Sequence, residues 1–169
     1  MVTRNSKLTL ARRKVADVQS VAYSRGRVYV LRAAGTGSCM WCDQYTASTF
    51  DVIKSPLIEL STSRYYHDTN HKQMLVFGEK IYFLDLKNNS VYVYSTDGSL
   101  LYRNSFNDAY RIYACLDGSI VATNGSSRIT KYCLNTSGGR ASVVWEYNGP
   151  ANSVAVDSTG YIYTHHTKR

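Results

Sequence analysis

Residues 154–163 read VAVDSTGYIY, and this short stretch contains the pattern that organises the whole chain. A valine-containing run leads into a turn that ends in Gly160, and a second run rich in tyrosine follows. Valine, isoleucine and tyrosine suit half-buried strands, and glycine supplies the positive φ that tight turns need. The stretch therefore predicts two short β-strands joined by a tight turn.

Related stretches occur three more times, at residues 21–30, 74–83 and 112–121. The turn glycines of the four copies are spaced by 52, 40 and 42 residues: Gly26, Gly78, Gly118 and Gly160. A β-rich repeat with a period near forty residues is the sequence signature of propeller blades. We therefore predict an all-β chain that forms a partial β-propeller of about three and a half four-stranded antiparallel blades.

The repeat divides the chain into a short lead-in and a series of blades. Residues 1–15 are expected to be a basic N-terminal arm or an outer strand, and residues 16–169 the propeller blades. The expected blade ranges are 16–60, 61–106 and 107–149, with 150–169 as an incomplete fourth. The strands expected within them include 18–24, 50–54 and 100–105. Because a propeller ring usually needs four to eight blades, we expect the chain to be a fragment of a larger multidomain protein. Pairing with another copy, or closure of a small irregular ring by the N-terminal strand, are the alternatives.

Two segments resemble the repeats of NHL-type propellers. Residues 150–163, PANSVAVDSTGYIY, resemble the start of such a repeat, and residues 81–98, IYFLDLKNNSVYVYSTDG, resemble its middle and end. Arg128-Ile129 matches an Arg-hydrophobic pair that is frequent in that family, and the resemblance covers roughly residues 16–169. It implies a propeller of the kind found in tripartite-motif proteins, where this domain recognises a protein or RNA.

The charge of the chain is concentrated near its start. The formal net charge is +8, and five basic residues precede the first acidic residue, Asp17: Arg4, Lys7, Arg12, Arg13 and Lys14. Such an arm can contact nucleic acid, an anionic membrane or an acidic partner, or it can be a solvated lead-in strand. No apolar run is long enough to span a bilayer, and we see no secretory signal, so we expect a cytoplasmic protein, with the nucleus as the alternative.

The residues that usually carry catalysis or bind metals do not form a recognisable pattern. Cys39 and Cys42 form a C-x-x-C inside a predicted strand, where they face opposite sides. Cys115 and Cys133 are isolated in other strands, and we expect buried structural cysteines. His67 and His71 lack the glutamate of a zinc-hydrolase helix. We therefore expect no metal, no cofactor, no small-molecule substrate and no catalytic activity. A fragment of a metal-dependent six-bladed propeller hydrolase remains the alternative.

The predicted binding residues lie on loops that join the outer strand of one blade to the inner strand of the next. In a propeller these loops share one face, and here two of them place arginine beside tyrosine: Arg64, Tyr65, Tyr66 and His67 before blade two, and Tyr110 and Arg111 before blade three. Tyrosine and arginine are enriched in protein hot spots, and they also stack on unpaired RNA bases. We expect a protein partner, with single-stranded RNA as the alternative; packing of the tyrosines between blades is the explanation without a function.

Overall fold

The computed structural model describes residues 18–34, 39–61, 73–86, 88–107, 109–125, 127–149, 153–157 and 159–165. Within these ranges every regular element is a β-strand. The strands are β1 (Val18–Ser24), β2 (Arg27–Ala34), β3 (Cys39–Thr46), β4 (Val52–Ser61), β5 (Met74–Phe77), β6 (Lys80–Asp85), β7 (Ser90–Ser95), β8 (Leu100–Ser105), β9 (Arg111–Ala114), β10 (Ile120–Thr123), β11 (Arg128–Cys133), β12 (Gly139–Arg140), β13 (Ser142–Asn148), β14 (Ser153–Val156) and β15 (Ile162–His165).

Consecutive antiparallel strands form four sheets. Blade 1 is β1-β2-β3-β4, blade 2 is β5-β6-β7-β8 with β12 added at its outer edge, blade 3 is β9-β10-β11-β13, and blade 4 is the hairpin β14-β15. The prediction of an all-β, partial propeller with four-stranded blades is confirmed. The innermost strands of the four blades are β1, β5, β9 and β14.

The turns that close the first hairpin of each blade depend on glycine. Gly26, Gly78, Gly118 and Gly160 all have a φ between 61° and 89°. In the last of these turns Asp157 Oδ1 accepts hydrogen bonds from the backbone nitrogens of Thr159 and Tyr161, at 2.9 and 3.0 Å. The Thr159 side chain, above all, lowers the pKa of Asp157 to about 2. The repeated turn signal in the sequence therefore reflects a positive φ at the glycine. In this last turn an aspartate also accepts hydrogen bonds from the turn amides.

Each junction between neighbouring blades has its own apolar cluster. Ile81 and Phe83 of β6 pack towards blade 1, whereas Tyr82 and Leu84 pack towards blade 3. This division follows from the strand geometry, in which successive side chains point to opposite faces. A third cluster joins Val121 and its neighbours to blade 4. The interior strands are therefore buried on both faces, unlike the strands of a sheet with one solvated side.

Two side-chain amides join blades 2 and 3 by paired hydrogen bonds. Gln73 Nε2 donates to the Ile112 carbonyl at 2.7 Å, and the Ile112 amide donates to Gln73 Oε1 at 2.8 Å. At the outer side, Asn104 Nδ2 donates to the Asn135 carbonyl at 2.8 Å, and the Asn135 amide donates to Asn104 Oδ1 at 2.7 Å. Each side-chain amide thus both donates to and accepts from the backbone of one residue, as paired residues do in a β-sheet, and so links blade 2 to blade 3.

The segment between β11 and β13 differs from its sequence prediction. The run Thr136-Ser137-Gly138-Gly139 reads as a flexible loop, yet Gly139 and Arg140 form β12, which pairs in parallel with Asn104 and Ser105 of β8. The Ala141 amide continues this contact by donating to the Ser105 carbonyl at 2.9 Å. The segment leaves blade 3 to cover the Asn104–Ser105 end of the outer edge of blade 2, where unpaired backbone groups would otherwise face solvent.

The cysteines follow the prediction in part. Cys42 is fully buried, with its sulfur 3.6 Å from that of Met74, and Cys115 is buried as well. Cys133 is exposed, so the expectation of a buried cysteine is wrong there. It is the last residue of β11 and lies between two buried residues, Tyr132 and Leu134.

Burial of Cys42 makes the stability of blade 1 sensitive to alkaline pH. Burial, and after it the charge of Asp43, raises the pKa of the Cys42 thiol from 9.0 to about 12. The thiol pKa is higher in the folded protein than in the unfolded protein. The stabilisation that comes from burying the neutral thiol is therefore complete below pH 9 and is lost as the pH rises towards 12. One pKa unit corresponds to about 1.4 kcal/mol, so the free energy of unfolding should fall by a few kcal/mol in this window.

The measurement is urea unfolding at a series of pH values for the wild type and for Cys42→Ala. The variant should be less stable at neutral pH but should lose less free energy between pH 9 and 12. Cys133→Ala, which removes an exposed thiol, is the matched control and should keep the wild-type slope. Equal slopes for all three proteins would show that Cys42 does not control the alkaline transition.

Candidate functional site

The structure describes two of the six predicted binding residues. Tyr110 and Arg111 lie at the entry to blade 3, whereas Arg64, Tyr65, Tyr66 and His67 lie outside the described residues. The geometry of the predicted site can therefore be described only for Tyr110 and Arg111 and the residues around them.

Tyr110 is fixed against the turn between β10 and β11. Its backbone amide donates to the Thr123 carbonyl at 2.6 Å, which extends the β9–β10 pairing by one residue. Its ring lies against Gly125: a Cβ atom on that glycine would be only 3.3 Å from the nearest ring carbons. The side chain is half-buried. Part of the ring thus packs against its own blade, rather than between blades, and the rest is accessible.

Arg111 is exposed and stands on a rigid strand. It is the first residue of β9 and pairs with Thr123 of β10. The next residue, Ile112, is fully buried and is held by the paired hydrogen bonds to Gln73. The backbone of β9 at this point is therefore hydrogen-bonded along both edges of the strand, to β10 and to Gln73, while the Arg111 side chain is exposed to solvent.

A second arginine near this entry was missed by the sequence reasoning. Arg140 is exposed, and its Nη2 donates to Asn107 Oδ1 at 3.3 Å. Asn107 lies two residues after the end of β8, and its carbonyl accepts a hydrogen bond from the Tyr132 hydroxyl at 3.0 Å. We call Asn107, Tyr110, Arg111 and Arg140 the blade-3 entry surface. Only the pairing of β12 with β8 brings Arg140 there, and no local pattern in the sequence signals that pairing.

The centre of the blade array is apolar where the structure describes it. A cavity of about 280 Å³ is lined by residues of the four innermost strands: Val21, Ala22, Met74, Leu75, Val76, Phe77, Tyr113, Ala114 and Val156. Carboxylates and imidazoles, the usual groups for acid–base catalysis, are absent from this described lining. The described lining of the cavity is therefore mostly apolar.

A second cavity, of about 340 Å³, lies between blades 3 and 4. Its two charged residues neutralise each other, because Lys131 Nζ lies 2.7 Å from Asp117 Oδ2. This contact, with hydrogen bonds from Ser119, lowers the pKa of Asp117 to about 2. The remaining lining is mostly apolar and includes Cys115 and Trp145. The charges of this cavity are thus already used within the protein.

The described residues contain neither a metal-binding cluster nor a membrane-spanning helix. In the residues described, no group of three histidine, cysteine, aspartate or glutamate side chains is placed to hold a metal ion. That portion likewise contains no helix of the length and apolarity needed to cross a membrane.

The described residues are close to electrically neutral. They include ten lysines and arginines against nine aspartates and glutamates. Most of the net charge of +8 is therefore carried by segments outside the described ranges, including residues 1–17. The described blades do not form the strongly basic surface that phosphate binding usually requires.

Comparison with known proteins shows a likeness of fold. No protein-family model and no curated protein matches the chain, so the likeness to NHL repeats stays a resemblance. The crystal structure of the computationally designed protein Ika4 matches with a TM-score of 0.52 and 12% identity, over 92% of this chain and 94% of that one. The glutaminyl cyclase of Myxococcus xanthus matches with a TM-score of 0.51 and 15% identity, over 87% of this chain and 66% of the cyclase. At such identities the matches identify a propeller-like arrangement of β-sheets and nothing further.

Proposed function

We propose that the chain is a non-enzymatic interaction module that binds a protein partner through the blade-3 entry surface. The observation that carries the proposal is the fixed Tyr110 beside the exposed Arg111. Tyrosine and arginine are the residue types that most often dominate binding energy at protein interfaces. Because Tyr110 is already ordered by Thr123 and Gly125, it loses little conformational entropy when a partner binds.

The composition of the two cavities supports a binding role over catalysis. The central cavity is lined by apolar side chains and one tyrosine, and the charged pair in the second cavity is internally neutralised. One of the structural matches is an enzyme, a glutaminyl cyclase, but at 15% identity that match supports the fold alone. The proposal keeps the cytoplasmic setting expected from the sequence and the expectation that this chain is part of a larger protein.

Among partners, the charge balance of the described residues favours protein over RNA. Affinity for single-stranded RNA comes largely from phosphate contacts, which need an excess of lysine and arginine along the bound strand. The described blades supply almost no excess. A protein interface needs only a few well-packed aromatic and arginine contacts.

The test uses peptides selected from a displayed library on the immobilised wild-type chain. Arg111→Ala should weaken the selected peptides about tenfold or more, as expected for loss of a hot-spot arginine. Arg25→Ala is the matched control, because Arg25 lies at a hairpin turn in an exposed ion pair with Glu79, and it should change affinity less than about twofold.

Three results would go against the proposal. Selection could yield no binder, or the two variants could weaken binding equally. Alternatively, a single-stranded oligonucleotide could bind with an affinity that falls steeply between about 50 and about 200 mM salt, which would assign the surface to RNA instead.

A further inference from the structure

The two arginines of the blade-3 entry surface are surrounded differently from arginines elsewhere in the blades. Three of the others lie against a carboxylate: Arg25 with Glu79, Arg32 with Asp43 and Arg128 with Glu146. Arg111 and Arg140 form no such ion pair with the described residues. Asp108, the acidic residue of the loop between β8 and β9, lies outside the described ranges. The entry surface therefore carries two guanidinium charges that no described carboxylate neutralises.

Arg111 presents its guanidinium to solvent from a fixed position. Its backbone pairs with Thr123, and the next residue, Ile112, is fully buried. The side chain is exposed, and among the residues described its guanidinium forms no hydrogen bond. A guanidinium has five N–H donors in a planar fork, which fits the two oxygens of one carboxylate. The donors of Arg111 are therefore left to water or to a partner.

The contact that Arg140 makes within the described blades is with a neutral group. Its Nη2 donates to Asn107 Oδ1 at 3.3 Å, a long hydrogen bond, and both side chains are exposed. A carboxylate is a stronger acceptor for a guanidinium than an amide oxygen, because it adds charge attraction to the hydrogen bonds. An acidic side chain of a partner can therefore displace Asn107 or share Arg140 with it.

The two arginines lie near opposite ends of the loop that leads into blade 3. Arg140 contacts Asn107, and Arg111 lies four residues after Asn107 in the sequence. Four residues span at most about 14 Å when fully extended, which limits the distance between the Asn107 and Arg111 backbones. A bound strand rises about 3.3 Å per residue, so a segment of about five residues covers this distance. Tyr110, with part of its ring accessible, lies in the same stretch.

We infer that the blade-3 entry surface binds an acidic peptide segment of its partner, with two carboxylates about four residues apart and an apolar side chain between them. One carboxylate binds Arg111, the other binds Arg140, and the apolar side chain packs on the accessible part of the Tyr110 ring. This partner chemistry rests on the proposed function, since it concerns the same surface. A basic segment is disfavoured by repulsion from both guanidiniums.

The first measurement is the composition of the peptides selected on the immobilised 169-residue chain. Peptides that lose affinity with Arg111→Ala should be enriched, relative to the unselected library, in pairs of acidic residues about three to five positions apart. One such peptide is then synthesised with each acidic residue replaced in turn by its amide. Each replacement should weaken binding to the wild type about fivefold, the upper range for an exposed ion pair.

A double-mutant cycle assigns each acidic residue of the peptide to its arginine. Amide replacement of the acid that contacts Arg111 should have almost no effect on binding to Arg111→Ala, whereas replacement of the other acid should keep its effect. Arg140→Ala should show the converse pattern. Arg27→Ala is the matched control, because Arg27 is an exposed arginine of blade 1, and both replacements should keep their full effects there. Circular dichroism melts confirm that each variant remains folded.

Failure of the proposed function and failure of the acidic partner give different results. If no peptide is selected, or if the selected peptides are indifferent to Arg111→Ala, both proposals are wrong. If the peptides depend on Arg111 but keep their affinity when their acids become amides, only the acidic partner is wrong. Amide replacements that weaken binding equally in the wild type and in both entry-surface variants would also overturn it, because the acids would then not contact these arginines.

Discussion

Replacing Asn104 by leucine is expected to lower the free energy of unfolding by about 2–3 kcal/mol. Asn104 is fully buried on β8, and its amide forms both hydrogen bonds to the backbone of Asn135. Leucine has the same branching and number of side-chain heavy atoms but leaves the Asn135 amide and carbonyl without these partners. Because β12 follows four residues later, the loss should also weaken its pairing with β8.

Asn104→Asp separates hydrogen bonding from shape. Aspartate can still accept from the Asn135 amide, but its second oxygen meets the Asn135 carbonyl, and a charge is buried. We expect Asn104→Asp to be at least as destabilising as the leucine variant at neutral pH. The exposed Asn148 of β13 provides the control, and Asn148→Leu should change stability by less than about 0.5 kcal/mol. Urea unfolding measures all three, and an Asn104→Leu protein as stable as the wild type would contradict the role of the amide.

The second large effect is expected at Gly98, in the turn between β7 and β8. A Cβ atom at this position would lie 2.5 Å from the carbonyl oxygen of Leu57, far inside van der Waals contact. The φ of Gly98 is +101°, a conformation that residues with a side chain rarely adopt. Leu57 is itself buried in β4 at the junction of blades 1 and 2, so the backbone it belongs to cannot retreat without disturbing that cluster.

Gly98→Ala should therefore cost on the order of 3 kcal/mol, the range of overpacking combined with backbone strain. Gly78→Ala is the matched control, because Gly78 also has positive φ, +61°, but nothing lies within 4 Å of its Cβ position. It should cost about 1 kcal/mol, which is the conformational term alone. Thermal and urea unfolding give the comparison. Similar losses of stability in the two variants would show that the Leu57 backbone moves enough to accommodate a Cβ atom at position 98.

The repeated glycine turns explain why much of the fold could be predicted from the sequence. A turn that needs positive φ leaves a local signature, and the strands on either side are local too, so β1 at 18–24 and β8 at 100–105 were predicted at their observed bounds. Strand β4 was predicted only at 50–54 but runs to Ser61. Pro56 lies inside β4, and an outer strand tolerates proline because its outward amide needs no partner.

The contacts between blades could not be predicted in the same way. Gln73 and Ile112 are 39 residues apart, and Asn104 and Asn135 are 31 apart, and neither pair follows from periodicity or turn chemistry. The same reason explains the candidate site. Tyr110 and Arg111 were found because they are neighbours in sequence, whereas Arg140 reaches Asn107 only through the tertiary pairing of β12.

The position of β12 has a consequence for how such a chain can be duplicated or rearranged by recombination. The outermost strand of blade 2 is encoded after β11, so the gene segment for residues 74–105 does not specify a complete sheet. A copy of that segment alone would produce a sheet whose outer strand, β8, exposes its backbone groups to pairing with other molecules. A segment that runs through Ala141 carries the covering strand with it. A duplicated gene segment must therefore be longer than one repeat if it is to include the strand that pairs with the end of β8.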